Sequence, residues 1–303
     1  MTNAAPGGIF KYVPGMRDAA AVPEFQASSF SEQVFTGEYV ASSRPCVIRG
    51  AVSHWTALQK WRDKNYLKMR AGQQEVHLFL SEYHLTLKRL LHNRRDVRFA
   101  EAIDHLHHAE TERAIVATDL AEFMADLGGV SFLSHAEPGF WNAPARYFFY
   151  RNAGTAWHYH PFDETLTCQI IGTKKIGLVS CDTPFNQALR NLFYAEDYYD
   201  DPAAFARFDG PSWFSATLEE GDALYIPPLW WHGVVPQTTS FGATVAATWQ
   251  SPLPVIAKAI TKMARGDVEL LGRNYAKRFQ ALAELAQKMG LARELAIACE
   301  RGS

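Results

Sequence analysis

The chain has 303 residues, of which 48% are hydrophobic and 13% aromatic, so it can bury a sizeable core and is not typical of disordered proteins. Its formal net charge of −2 argues against a nucleic-acid-binding scaffold that relies on bulk positive charge, and we expect no nucleic acid partner. No run of about 18 apolar residues occurs, so the sequence predicts no membrane-spanning helix.

The start of the chain and its cysteines favour a cytoplasmic protein. The segment MTNAAPGGIFKYVPGMRD lacks the charged start and the apolar block of a signal peptide. The four cysteines are scattered through mostly apolar surroundings, which is typical of reduced thiols and not of a disulfide framework.

Residues 1–128 are predicted to form an N-terminal region of helices and strands that packs on a barrel. Helical spacing and capping residues predict the helices, and runs of β-branched or alternating residues predict the strands. The predicted helices cover 28–40, 55–72 and 118–129, and the predicted strands cover 45–52 and 75–81.

Residues 129–250 are predicted to form the β-core. Short alternating strands are separated by Gly, Pro, Asp and Asn, as in RYFFYRN, ETLTCQIIG, KKIGLVS and GATVAATWQ. After SPLP, residues 251–303 have apolar positions at helical spacing and are predicted to form a tail of amphipathic helices.

Two histidines stand two residues apart in the stretch GTAWHYHPFDET. Because side chains alternate across a strand, His158 and His160 point to the same face and can meet one metal ion. His232, in EEGDALYIPPLWWHGVV, is the candidate for a third ligand. A carboxylate ligand could come from Glu164 or Asp163.

Both histidine blocks resemble the cupin barrel pattern. In the first block Glu164 follows the His-x-His pair after three residues, and Gly172 follows after seven more. In the second block Gly221, Pro227 and His232 keep the spacing of that pattern, and a leucine stands where a glycine is usual.

The span from about 36 to 250 is similar to the JmjC, or cupin-8, branch of Fe(II)- and 2-oxoglutarate-dependent oxygenases. RPCVIRGAVSHWTALQKW resembles the N-terminal block of that branch, TAWHYHPFDETLTCQIIGTKK its central block, and GDALYIPPLWWHGV its distal-histidine strand. The chain departs from the branch at His160, where the branch has an aspartate.

The resemblance implies a mainly β fold, a double-stranded β-helix of the cupin or jelly-roll type with N-terminal helical embellishment and C-terminal helices. It implies Fe(II) bound by His158 and His232, with His160 or Glu164 completing the site. It also implies 2-oxoglutarate as cosubstrate, with Thr155 and Lys174 at the positions that anchor its distal carboxylate.

Strand alternation sends Lys174 and Lys175 to opposite faces, and we favour Lys174 on the inside. Tyr147 and Tyr150 lie on the strand before the histidines. We predict that Tyr147 contacts the cofactor, and the alternative is an ordinary core or rim tyrosine. No catalytic residue beyond the metal ligands is predicted.

The leading hypothesis is an Fe(II)- and 2-oxoglutarate-dependent oxygenase that oxidises a C–H bond. The alternatives are a cupin dioxygenase or isomerase that does not use 2-oxoglutarate, and a non-catalytic metal-binding cupin, because three neutral imidazoles tolerate other metals. The substrate is open between a protein side chain, a peptide and a small molecule. A homodimer through the C-terminal helices is a further expectation. The histidine-rich stretch 104–110 is expected to be a solvated helix face.

Overall fold

The structure is a computed structural model that describes residues 18–80, 94–108, 113–134, 145–194, 212–238, 240–262 and 265–288. The strands are β1 (Ala20–Ala21), β2 (Glu24–Gln26), β3 (Cys46–Arg49), β4 (Glu75–Leu80), β5 (Arg94–Arg98), β6 (Ala114–Thr118), β7 (Ala145–Arg151), β8 (Thr155–His158), β9 (Asp163–Ile171), β10 (Lys174–Ser180), β11 (Phe214–Leu218), β12 (Ala223–Ile226), β13 (Trp230–Pro236) and β14 (Phe241–Gln250). The helices are α1 (Glu32–Val34), α2 (Ala57–Lys60), α3 (Lys64–Ala71), α4 (Phe99–His107), α5 (Asn186–Tyr194), α6 (Leu253–Lys262), α7 (Arg265–Asn274) and α8 (Ala276–Lys288), with 3-10 turns at Ala27–Ser29 and Ala121–Asp126 and a π-helical turn at Phe35–Val40.

Two sheets form the barrel. One has the order β1-β11-β10-β13-β8, and the other has the order β2-β3-β12-β9-β14-β7-β6-β4-β5. Ile176 and Leu178 of the smaller sheet pack against Leu224 and Ile226 of the larger sheet. The faces that carry these residues are the inner faces of the barrel, because they pack against each other. Strand alternation then assigns every second residue of each strand to the same inner face. The predicted mainly β jelly-roll fold is confirmed.

The outer face of the larger sheet carries a second, more aromatic core. Tyr147 and Phe149 of β7 pack there against Trp61, Phe99 and Phe123 from the N-terminal region. Strands from residues 24–118 extend the same sheet that contains β9 and β14. The N-terminal region therefore completes the larger sheet, and the division into three segments stays a prediction.

Two predicted helices differ in the structure. Thr118 does not cap a helix, because it ends β6 and pairs with Tyr147, and only a 3-10 turn over Ala121–Asp126 follows. The helix predicted over 55–72 is divided into α2 and α3, because the Asp63 side chain accepts a hydrogen bond from the Asn65 backbone and starts a new helix. Helix α5, inside the predicted β-core, was not predicted.

The tail contains α6, α7 and α8 within the described residues, and a homodimer through these helices stays a prediction. No helix in the described part of the chain combines the length and the apolar character needed to cross a membrane.

Asp126 joins two separate segments of the N-terminal region through hydrogen bonds of its side chain. Its buried carboxylate accepts hydrogen bonds from Lys60, from the Trp61 indole and from the Tyr66 hydroxyl. Burial raises the pKa of Asp126, but these three donors outweigh burial, and the net shift is downward. A lowered carboxyl pKa contributes stability that is present above the unfolded-state pKa and is lost as the pH falls through the folded-state pKa.

We expect Asp126→Ala to lower the free energy of unfolding by about 3 kcal/mol at pH 7, because it leaves the buried Trp61 indole and the half-buried Tyr66 hydroxyl without an acceptor. Urea denaturation measures the loss. The matched control is Asp104→Ala, which removes an exposed ion pair with Lys68 and should cost less than about 1 kcal/mol. Equal losses in the two variants would contradict the role given to Asp126.

Candidate metal centre

The pairing of β8 with β13 brings two of the predicted ligands together. His158 lies directly opposite His232 in the antiparallel register, and their ring centroids are 4.2 Å apart. His160, in the turn after β8, has its ring centroid 5.3 Å from that of His158 and 5.2 Å from that of His232. One potential ligand atom from each of these histidines lies within 4.8 Å of the other two.

Each of these imidazoles is oriented through its Nδ1 atom. Nδ1 of His158 lies 2.8 Å from the Ala156 carbonyl, and Nδ1 of His232 lies 2.9 Å from the Trp230 carbonyl. A carbonyl only accepts, so both Nδ1 atoms donate, and each Nε2 atom keeps its lone pair for a metal. Nδ1 of His160 lies 2.7 Å from the Thr165 hydroxyl, which can accept in the same way.

The three imidazoles are held in the neutral form that a metal requires. Desolvation in the barrel lowers the pKa of His158, and it lowers the pKa of His160 to about 3 with smaller contributions from His158 and Arg146. The pKa of His232 lies well below its usual value, again mainly through burial. Three neutral nitrogen donors with oriented rings fit a divalent transition-metal ion such as Fe(II) or Zn.

Glu164 is not placed as a ligand, and this prediction needs correction. On β9 it shares a face with Leu166 and Cys168, which belong to the outer core, whereas Thr165 faces His160. Its buried carboxylate accepts hydrogen bonds from the hydroxyls of Tyr225 and Ser251. Burial raises the pKa of Glu164 to about 7, against the effect of these two donors.

Asp163, the alternative carboxylate, is also engaged elsewhere. It is buried, and its Oδ1 atom accepts a hydrogen bond of 2.6 Å from Arg278 of α8. The stretch 104–110 lies partly outside the described residues, and its Asp104 carboxylate binds Lys68. Helix α4 ends at His107, so Asp104 and His108 do not share a helix face.

Lys174 lies on the inner face and is buried, as predicted. Its Nζ atom is 2.9 Å from the Thr167 hydroxyl and 3.3 Å from the Thr244 hydroxyl. Burial lowers the pKa of Lys174 to about 7. Lys175 faces the opposite side of β10 and is half-buried.

Thr155 reaches the inner face through an irregularity in the strand. It pairs with Val234, while His158 pairs with His232, so the register shifts between the two pairs. Ala156 and Trp157 of β8 thereby lie opposite the single residue Gly233 of β13, which is a β-bulge. This shift explains how a threonine three residues before a histidine can share its face.

Tyr147 does not face the site, and this prediction also needs correction. Its ring lies in the outer core, with its centroid 5.9 Å from that of Trp61 and 5.6 Å from that of Phe123. Tyr150, on the other face of β7, is the tyrosine that takes part in the hydrogen bonds near Lys174. Its hydroxyl accepts a 2.9 Å hydrogen bond from Gln169 Nε2, and Gln169 Oε1 accepts one from Thr244.

Sequence reasoning considered Tyr150 beside Tyr147 but chose Tyr147, and it missed Thr165 and Gln169. Thr165 and Gln169 could have been found from β9, where polar and apolar residues alternate from Thr165 onward. The polar residues Thr165, Thr167 and Gln169 share one face of the strand, and the apolar residues Leu166, Cys168 and Ile170 share the other. No such signal exists in RYFFYR, because both faces of β7 carry aromatic residues.

Comparison with known proteins finds a family match over most of the chain. The profile of the cupin-like domain family matches residues 31–252. The chain is 25% identical over 268 residues to Jumonji C domain-containing protein 5 of Drosophila melanogaster, covering 82% of this chain and 64% of that protein. It is 24% identical over 253 residues to Lysine-specific demethylase 8 of Xenopus tropicalis, covering 77% of this chain and 54% of that protein.

A shorter match is stronger in identity. Over 42 residues the chain is 45% identical to Bifunctional peptidase and (3S)-lysyl hydroxylase JMJD7 of Homo sapiens, covering 14% of this chain and 13% of that protein. The chain spans 64% of the length of the Drosophila protein and 54% of the length of the Xenopus protein.

We expect His160→Ala and His232→Ala each to lose stoichiometric binding of Co(II), because each removes one of three nitrogen donors. Glu164→Gln should keep it, because the Glu164 side chain lies on the other face of β9. Metal analysis after gel filtration measures the ratio of Co(II) to protein. A Glu164→Gln protein that folds and has lost the metal would overturn the three-histidine assignment.

Proposed function

The chain belongs to the family of cupin-like domains, and on that premise we propose that it is an Fe(II)- and 2-oxoglutarate-dependent oxygenase. The observation that carries this proposal is the placement of His158, His232 and Lys174 on the inner face of one sheet. The ring of His160 reaches the other two histidines from the turn after β8. His232 lies opposite Leu178 in the pairing of β13 with β10, and Lys174 lies four residues along the same strand. The three histidines and the buried amine of Lys174 therefore face the same barrel interior.

The residues of the chain divide the work. His158, His160 and His232 would hold Fe(II), and Lys174 would bind the distal carboxylate of 2-oxoglutarate as a point charge. When bound, the metal and cosubstrate supply the chemistry: O2 is reduced, 2-oxoglutarate loses CO2 to become succinate, and one oxygen atom enters a substrate C–H bond. Leu224 and Ile226 pack with residues of β10 in the barrel interior, and these apolar side chains would limit the access of water to the reaction.

Tyr150, Gln169 and Thr244 support Lys174 in this role. Gln169 donates to the Tyr150 hydroxyl and accepts from Thr244, and Lys174 Nζ lies 3.3 Å from the Thr244 hydroxyl. The amine is thus held by neutral hydroxyl groups, which orient it without neutralising a positive charge. An incoming carboxylate supplies the opposite charge.

Two relatives are named for action on lysine, so a protein or peptide side chain is the substrate class that we favour over a small molecule. A second candidate function rests on the donor set. Three neutral histidines without a carboxylate are also suited to a dioxygenase whose substrate binds the metal directly and which needs no 2-oxoglutarate.

We expect Lys174→Met to raise the KM for 2-oxoglutarate by roughly 100-fold, because a buried, charge-assisted hydrogen bond is lost. The readouts are succinate release and the weak visible absorption that 2-oxoglutarate induces in the anaerobic Fe(II) protein. Lys175→Met is the matched control, since it changes the neighbouring lysine on the opposite face. Unchanged behaviour of Lys174→Met would favour the second candidate function.

We also expect 2-oxoglutarate binding to take up about one proton per site at pH 8 and almost none at pH 6. The pKa of Lys174 is lowered to about 7 by burial, so the amine is mostly neutral at pH 8, and a bound carboxylate favours the ammonium form. At pH 6 the amine is already charged. Calorimetric titration in buffers of different ionisation enthalpy measures the uptake, which Lys174→Met should abolish.

A further inference from the structure

The three candidate ligands are not held in the same way. His158 and His232 lie on paired strands, where the register fixes them. His160 lies in the short turn between β8 and β9. Its position therefore depends on what fixes the two ends of that turn and not on a sheet.

One side of the turn is fixed by the loop before β13. The backbone N–H of Leu229 donates a 2.8 Å hydrogen bond to the His160 carbonyl. Leu229 has a φ of 61°, the left-handed conformation that usually favours glycine. The leucine therefore keeps the backbone geometry of the glycine that the cupin pattern has at this position.

The other side of the turn is fixed by the C-terminal tail. One Nη atom of Arg278 donates to Asp163 Oδ1 and to Gln250 Oε1, each at 2.6 Å. The Arg278 guanidinium carbon also lies 5.2 Å from the ring centroid of Phe162, and Tyr275 packs edge-on against that ring. Arg278, Asp163 and Phe162 are all buried.

Arg278 contacts residues that are close in sequence to His160. Phe162 and Asp163 follow His160 by two and three residues, and Thr165, two residues further, holds the His160 ring through Nδ1. Asp163 starts β9, where it pairs with Gln250, so Arg278 joins the first residue pair of that ladder. Without Arg278, the Asp163 carboxylate is buried without its cation, and the start of β9 must rearrange to hydrate it.

We propose that Arg278 is a positioning residue for the metal centre, and that helix α8 sets the place of His160 through Asp163 and Phe162. This inference rests on the metal centre of the proposed function, but not on 2-oxoglutarate or on a reaction. It makes the tail a part of the site although α8 supplies no ligand. Loss of Arg278 should disturb one ligand of three and leave the strand-held pair in place.

The test is titration of the whole 303-residue chain with Co(II), followed by visible absorption. We expect Arg278→Gln to weaken Co(II) binding by about tenfold or more and to alter the absorption bands, as loss of an outer support of a metal ligand does. Arg278→Lys, which keeps the charge, should recover part of both. Asp163→Asn should resemble Arg278→Gln, and the double variant should be no worse than either single one.

Two controls separate positioning from general stability. Arg273→Gln removes an exposed arginine of α7, and Val268→Ala destabilises the tail by creating a cavity at a buried side chain. Both should keep the wild-type affinity and spectrum. If Arg278→Gln and Arg278→Lys lower the melting temperature but bind Co(II) as the wild type does, the proposal is overturned. If the wild type itself binds no Co(II), the metal centre fails and the proposal fails with it.

Discussion

The antiparallel pairing of β8 with β13 is the constraint on which the rest of the site depends. It places His158 opposite His232 with ring centroids 4.2 Å apart, a distance that no loop contact is needed to maintain. The bulge beside this pair then turns Thr155 to the same face. Lys174 follows from the next strand, because β10 pairs with β13 in an unbroken register from Lys174 to Ser180. Strand β13 pairs with both β8 and β10, and it thus places the histidines and the buried amine of Lys174 on the same face.

The parts of the site that depend on this alternation could be predicted from sequence. Lys174 was expected inside with Lys175 outside, because strand alternation decides this question. His158 and His160 were expected to converge for the same reason, but β8 ends at His158, and His160 reaches the other histidines from the following turn. Glu164 was misplaced for the opposite reason. Its distance in sequence from His160 fits the cupin pattern, but the phase of β9 turns Thr165 inward and Glu164 outward. A sequence motif fixes the number of residues between two side chains, but the face on which each side chain lies depends on where the strand begins.

Tyr147 and Arg278 show two further limits. In RYFFYR each face of the strand carries two aromatic residues and one arginine, so no polar pattern shows which face is which. One face meets the barrel interior, and the other meets the N-terminal core. Arg278 is separated from Asp163 by 115 positions in the chain, and nothing in an amphipathic tail marks one arginine as buried. Such contacts arise from tertiary packing, so they can be read only from the folded chain.

The charges of the site explain why its amine can remain buried. The three donors are neutral imidazoles, and the carboxylates of Glu164 and Asp163 are used by Tyr225, Ser251 and Arg278, so neither reduces the charge of a bound metal ion. A divalent ion would thus keep its full charge in an interior that also contains Lys174. Burial disfavours the ammonium form of Lys174 and lowers its pKa to about 7. A dicarboxylate that reaches both the metal and the amine compensates both charges together, and a monocarboxylate does not. In the proposed oxygenase, the histidine in place of the family's aspartate would therefore favour a dianion in the interior, and does not by itself argue against one.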